Sequence, residues 1–238
     1  MPGYQVVDET IEIAGVAGLT IRRLKDKQQY ADPQGRAEAQ GISSAAWPLF
    51  GLLWPSGFEL AAALARRPVL ADEQILELGC GLALASLVGH RRGSRVTASD
   101  CHPLARRFLE TNLQLNDLPP MRYRHGHWAE RQEEQGDAAL TEGQDGRLCA
   151  GVQGRFNLII GSDVLYERDD LGQLPGFIAH HASATGEVLI VDPNRGNRSP
   201  FHRRMAALGY QMDETRLGEL AGPVGAYRGR LFHYQRAG

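Results

Sequence analysis

From residue 74 onward, short apolar runs alternate with longer segments whose apolar residues recur at helical spacing. "QILELG" (74–79), "RVTASD" (95–100), "MRYRHGHW" (121–128), "RFNLIIGSD" (155–163) and "GEVLIVDP" (186–193) each read as a strand, the third being the weakest. "LALASLVGHRR" and "PLARRFLETNLQLN" (103–116) read as helices, a poorly marked helix lies between the fourth and fifth strands, and "HRRMAALGY" (202–210) is a further helix. Such alternation calls for a parallel sheet covered by helices on both faces. In the tail, "YQMDETRL" and "YRGRLFHYQR" suggest two closing strands in antiparallel relation. Ligands of such sheets bind outside the carboxyl ends of the strands, near the switch in strand order.

Upstream the pattern changes. Residues 10–24, "TIEIAGVAGLTIRRL", alternate on both sides of a glycine-containing turn and predict a β-hairpin. Residues 28–44 are polar, with Pro and Gly, and read as an irregular connection. "AAWPLFGLLWPSGFELAAALARR" (45–67) opens with two Trp-Pro pairs and predicts a helix from about Ser56, with Ser56 as N-cap and Glu59 at the capping-box position. Residues 129–151 are acidic, rich in Gln and Gly, and without clear period; a surface loop is expected there. The chain therefore divides into a hairpin and connection (1–44) and an α/β domain (45–238), forming one compact unit.

Composition narrows the class. The chain has 238 residues, 42% hydrophobic and 23% charged, which suits a globular protein able to bury a sizeable core. Its net charge of −2 gives no argument for wholesale binding to nucleic acid or an anionic membrane. Arg heavily outnumbers Lys, since Lys25 and Lys27 are the only lysines. Cys80, Cys101 and Cys149 have no metal-ligand spacing and read as reduced thiols. No signal peptide is evident and the apolar runs are too short to span a membrane, so a cytoplasmic protein is expected.

Candidate chemistry gathers at the predicted carboxyl edge. "ELGCGLA" (77–83) joins the first strand to its helix, and Gly79 and Gly81 permit a tight turn with close backbone approach. A purely structural turn explains a lone G-x-G equally well. Leu84 stands where a dinucleotide loop wants a third glycine, and Glu77 suits a ligand ammonium better than a diphosphate. Asp100 ends the second strand, where an acid can accept ribose hydroxyls or cap the next helix. Trp128 can stack on an adenine ring or simply fill a loop. "SDVLYE" sets Asp163 at a strand end with Tyr166 three residues on; a helix cap and a buried aromatic are the plain alternatives. His180 and His181 read as helix-end residues, Arg195 and Arg198 as solvated loop charges, and Cys80 as a small filler.

The order E-x-G-x-G, strand-end Asp, Trp and "SDVLYE" resembles the seven-strand, class I S-adenosylmethionine-dependent methyltransferases. More closely, it resembles the family 16 protein-lysine methyltransferases, whose [DE]-x-x-[YF] motif matches Asp163–Tyr166 and whose upstream Trp matches Trp54. The likeness runs from about Trp47 to Tyr210. It implies a Rossmann-like, doubly wound seven-stranded sheet, mostly parallel with an antiparallel C-terminal strand, behind the N-terminal hairpin. It further implies S-adenosyl-L-methionine as cofactor, with Glu77 facing the methionine ammonium and Gly79, Cys80 and Gly81 lining the loop. Asp100 would hold the ribose, Trp128 would flank the adenine, and Ser162 and Trp54 would complete the cofactor site. Asp163 and Tyr166 would receive a protein lysine. Two positions depart from the pattern: Ala83 replaces a third glycine and is small enough to fit, and His127 stands where relatives often place Asp. "VDPNRG" (191–196) also resembles the "DPGR" stretch of relatives acting on electron-transfer flavoprotein. A small-molecule methyltransferase, a nucleotide-dependent oxidoreductase and a non-catalytic binding module remain alternatives, and a monomer is favoured.

Overall fold

The computed structural model describes residues 3–128, 140–142, 148–166, 168–218 and 227–236. A hairpin comes first, β1 (Val6–Ile13) and β2 (Val16–Leu24), antiparallel about a turn at Gly15. After a short helix α1 (Arg36–Ala39), a 3-10 helix (Trp47–Gly51) and α2 (Pro55–Arg66) follow. Both Trp-Pro pairs therefore act as helix starts, with Pro48 and Pro55 in the first turns, where a missing N–H costs nothing. This corrects the expected cap: the N-cap of α2 is Trp54, without a side-chain cap bond, and Ser56 lies inside the helix.

The alternating region gives β3 (Gln74–Leu78), α3 (Leu84–Arg91), β4 (Arg95–Asp100), α4 (Ala105–Leu115) and β5 (Arg122–His125). Within 129–151, two short paired strands appear, β6 (Leu140–Glu142) and β7 (Leu148–Ala150), where a loop without period was expected. The rest of that expected loop, 129–139 and 143–147, lies outside the described residues. Then come β8 (Phe156–Ser162), α5 (Gln173–His181), β9 (Ala182–Asp192), α6 (Arg198–Ala207), β10 (Gln211–Arg216) and β11 (Arg230–Gln235).

Among the described residues the central sheet has seven strands in the order β10-β11-β9-β8-β3-β4-β5. Strands β9, β8, β3, β4 and β5 run parallel, and β11 is antiparallel to both neighbours. The doubly wound sheet expected from the sequence is present, antiparallel C-terminal strand and N-terminal hairpin included. Its strand order reverses at β3, which has β4 on one side and β8 on the other.

Period-two alternation sorts the sheet's side chains between two core layers. Ile75, Leu158, Ile160, Leu189 and Val191 point into the layer built with Leu60, Leu64, Leu87, Val88 and Phe108. Leu76, Leu78, Ile159, Val188 and Ile190 point into the other, with Phe177, Ile178, Phe201, Met205 and Tyr234. The hairpin shares the first layer through Ile11, Leu19, Ile21 and Leu24. It is also fastened by side-chain amides of α4. Asn112 Oδ1 accepts from Arg22 N at 2.7 Å, and Asn116 exchanges bonds with Thr20 N and O at 2.9 and 2.7 Å. Two amides one helical turn apart thus pair with the open edge of β2 as a neighbouring strand would. The boundary at residue 44 marks a change of architecture within a continuous core.

Candidate active site

The β3–α3 loop is built by three left-handed residues in alternation: Gly79 (φ 55°), Gly81 (φ 51°) and Ala83 (φ 59°). Ala83 is buried and fits sterically, but an L side chain in that region costs about 1–2 kcal/mol. The expectation that it is harmless holds for space and fails for backbone. A Cβ on Gly79 would lie 3.3 Å from Val164 Cγ1 and 3.5 Å from the Trp128 ring, whereas one on Gly81 would lie 2.7 Å from the Phe50 carbonyl oxygen. The 3-10 helix therefore roofs the loop at Gly81. Gly81→Ala is expected to lower the melting temperature by several degrees, from about 1–2 kcal/mol of left-handed strain alone, and to weaken ligand binding at the loop; thermal denaturation and calorimetry read the two effects.

Two buried carboxylates hold this loop. Asp100 Oδ2 accepts from Gly81 N at 2.8 Å and Oδ1 from His102 N at 2.8 Å. Burial raises its pKa, and the backbone N–H groups oppose the shift. Asp100 does not cap α4, whose N-cap is Leu104; it braces the glycine loop against the end of β4. Glu77 turns toward the first turn of α3, where its Oε2 accepts from Ser86 N at 2.9 Å and from the Ser86 hydroxyl. Burial pushes its pKa up to about 7 against those two bonds. Cys80 is buried with its thiol pKa pushed up, which suits a filler and not a nucleophile.

Across the strand-order switch, Asp163 leaves β8 in a left-handed conformation (φ 58°), with its N–H donated to Val191 O at 3.0 Å. Asp tolerates this region better than most residues. Its Oδ1 lies 2.6 Å from Arg195 Nη1, and the same nitrogen is 3.2 Å from Asp192 Oδ2. Arg195 N also donates to Asp192 Oδ1 at 2.6 Å. Sequence reasoning treated Arg195 as a solvated loop charge; it is instead a bridge between two carboxylates. Arg198 is half-buried and donates to Asn194. The Ser56 hydroxyl lies beside Asp163 and is bonded to Tyr227 Oη at 2.8 Å. Burial raises the Asp163 pKa, opposed by Ser56 and by Arg195.

The other expected site residues fall unevenly. Trp128 packs against Gly79. The Ser162 hydroxyl ends β8 about where α2 begins, 3.8 Å from a Cβ placed on Gly57. Tyr166 is 48% exposed, not a core aromatic, and lines a surface cavity with Trp128, Val164, Asn197 and Phe201. Trp54 donates its indole N–H to Leu49 O at 2.9 Å and is largely exposed; no contact described ties it to the glycine loop. His181 is buried, with its pKa pushed down to about 4 and Nδ1 3.1 Å from Gly154 O. Among the described residues, no group of three or more His, Cys, Asp or Glu is placed to hold a metal ion, and no helix is long and apolar enough to cross a membrane. Arg195, Asp192, Ser56 and Tyr227 were missed as site residues. Only the "DPNR" stretch offered a signal.

The arrangement of the sheet and its helices recurs in solved structures. The 16S rRNA N2 G1207 methyltransferase of T. Thermophilus, in complex with AdoMet and guanosine, superposes with a TM-score of 0.57 at 17% identity, covering 100% of this chain and 52% of that one. Ribosomal protein L11 methylase from Lactobacillus delbrueckii subsp. bulgaricus gives 0.53 at 17% identity, covering 79% and 81%. The chain has a class I methyltransferase fold. No family model matches it. By sequence, this methyltransferase-fold chain is 27% identical over 175 residues to the electron transfer flavoprotein beta subunit lysine methyltransferase of Mus musculus, covering 72% of the chain and 60% of the relative. It is 36% identical over 151 residues to the Danio rerio protein of that name, covering 62% and 51%. Against protein N-lysine methyltransferase METTL21A of Mus musculus it is 32% identical over 115 residues, covering 48% and 47%. The chain thus spans between 47% and 60% of the length of these relatives, and its resemblance is to the family 16 protein-lysine methyltransferases.

Proposed function

We propose that this chain transfers a methyl group from S-adenosyl-L-methionine to a lysine side chain of a protein. The observation that carries the reading is the carboxylate of Asp163, held half-buried across the strand switch from a glycine loop braced by two further buried carboxylates. Three acids around one ligand edge suit a cationic cofactor and a cationic acceptor, and disfavour a diphosphate. The cofactor fits the donors present: Glu77 has Oε1 to spare for an ammonium, Asp100 keeps lone pairs for ribose hydroxyls, and Gly79, Cys80 and Gly81 leave room for backbone approach. Trp128, Ser162 and Trp54 complete the proposed set. S-adenosyl-L-methionine, when bound, supplies a methyl already activated on a sulfonium.

The protein's own work is alignment and desolvation. Asp163 draws the lysine ammonium to the rim and orients it; Tyr166 offers an aromatic wall to its stem. An ammonium has no lone pair and must lose a proton before it attacks. A carboxylate opposes that loss, so Asp163 is a docking group and not a strong base. We further propose a monomer acting in the cytoplasm on protein, not on nucleic acid or a membrane; the modest net charge and the absence of metal-ligand spacing among the three cysteines support this.

Incubation with labelled S-adenosyl-L-methionine and a lysate of the host, followed by mass spectrometry, tests the reading; the electron-transfer flavoprotein beta subunit is the first acceptor to examine. Label on a lysine is the expected result. Calorimetry showing NADH binding without S-adenosyl-L-methionine binding would overturn it.

A further inference from the structure

Asp163 does not face the acceptor side alone. Its partner Arg195 is 29% exposed and Asp163 16% exposed, whereas Asp192 is fully buried behind them. One nitrogen, Arg195 Nη1, serves both carboxylates, and the Arg195 backbone N–H fixes the second oxygen of Asp192. The guanidinium is therefore anchored from behind by a carboxylate that has no exposure to exchange it for water. On the open side it takes only Oδ1 of Asp163. The other oxygen of Asp163, Oδ2, is buried, and the Ser56 hydroxyl lies beside this carboxyl, bonded in turn to Tyr227 Oη.

Charge counting sharpens the point. Two carboxylates and one guanidinium leave a single negative charge in a half-buried pocket, and one additional cation neutralises it. A desolvated net negative charge is costly, and an arriving ammonium relieves that cost while a carboxylate or phosphate acceptor adds to it. Resting on the methyl-transfer reading above, we propose that Arg195 is a positioning residue that holds the Asp163 carboxylate in place for a single cationic acceptor side chain.

Arg195 does this in two ways. It fixes the rotamer of the Asp163 side chain, and it keeps Asp163 ionised against burial. The charged or titratable groups facing Asp163 among the described residues are Arg195, Asp192 and Tyr227, with the Ser56 hydroxyl alongside. Burial drives the Tyr227 phenol well above its ordinary pKa, so it stays protonated through the neutral range. Removing the Arg195 charge leaves Asp163 facing Asp192 without a counterion, and its pKa rises. Higher pH is then needed to ionise it.

The test compares wild type, Arg195→Gln and Arg195→Lys by the pH dependence of kcat/KM for the acceptor at saturating S-adenosyl-L-methionine. It is paired with a carbon-13 carboxyl titration of Asp163 in the cofactor-free proteins. The Gln variant is expected to move the low-pH break upward by about one unit or more and to raise KM about tenfold or more near neutrality. The kcat at high pH should be preserved, and Lys should restore the break because an ammonium can also bridge two carboxylates. A loss in kcat that is equal at every pH and unrescued by Lys would indicate a merely structural residue and overturn the proposal. So would an Asp163 titration unmoved in the Gln variant. Absence of any transfer by the wild type overturns the activity reading instead, and the carboxyl titration distinguishes that failure from a failure of the Arg195 proposal.

Discussion

Asp163→Asn is expected to lower the kcat/KM of methyl transfer by about 30-fold or more while leaving cofactor affinity unchanged. Asn is the informative substitution. Ala at φ 58° would add left-handed strain and leave Arg195 facing Asp192 with nothing on its open side, so a loss of activity could reflect a distorted turn. Asn accepts the left-handed backbone, keeps an oxygen for the Arg195 guanidinium and removes only the negative charge. Truncating one side of a desolvated charge contact costs about 2–5 kcal/mol, which is about 30-fold or more in kcat/KM. Steady-state kinetics with the labelled acceptor and calorimetry with S-adenosyl-L-methionine separate the two effects. Activity equal to wild type would return Asp163 to a turn residue that happens to bind Arg195.

Glu77→Gln is expected to stabilise the cofactor-free protein and to weaken cofactor binding. The Glu77 pKa is raised from 4.5 to about 7 by burial. A carboxyl whose folded pKa lies above its unfolded value binds more protons in the native state between those two pH values. Stability therefore falls as pH rises from about 4.5 through about 7, and a shift of this size is worth about 3 kcal/mol. Gln keeps an acceptor for Ser86 and removes the slope, so the variant should match wild type at low pH and exceed it above neutrality. With the ligand ammonium present the sign reverses, because the carboxylate then has the cation it lacks. Denaturant melts across pH, with and without S-adenosyl-L-methionine, read both limbs. A variant no more stable than wild type at pH 8 would show that Ser86 already compensates the buried charge.

The central strands β3, β4 and β8 were legible because they are buried on both faces and read as short apolar runs. "RVTASD" became β4 without a change of boundary, and "QILELG" lost only its glycine to the loop. Starts and ends were less legible. Pro55 takes the first position of α2, so Ser56 falls inside the helix, where its hydroxyl bonds Tyr227, 171 positions along the chain. The glycine loop and Asp163 could be read because each is a local departure at a strand end. Arg195 could not, because its meaning lies in two carboxylates, one from its own turn and one from the end of β8. A charge in a Pro/Gly-rich loop looks solvated until the sheet brings its partner across. Trp54 was placed by a motif match alone, and the bond of its indole N–H to Leu49 O leaves the ring face to the proposed cofactor set.

The position of β11 sets an order of assembly. It lies between β9 and β10, although it follows both in sequence, so β10 has no place in the sheet until residues 230–235 exist to bridge it. Tyr227, just before that strand, is also the partner of Ser56 beside Asp163. A nascent chain on the ribosome can close β3, β4, β5, β8 and β9, and with them the glycine loop, while the wall behind the acceptor carboxylate is still untranslated. On the methyl-transfer reading proposed above, translation supplies the glycine loop before the residues that wall Asp163.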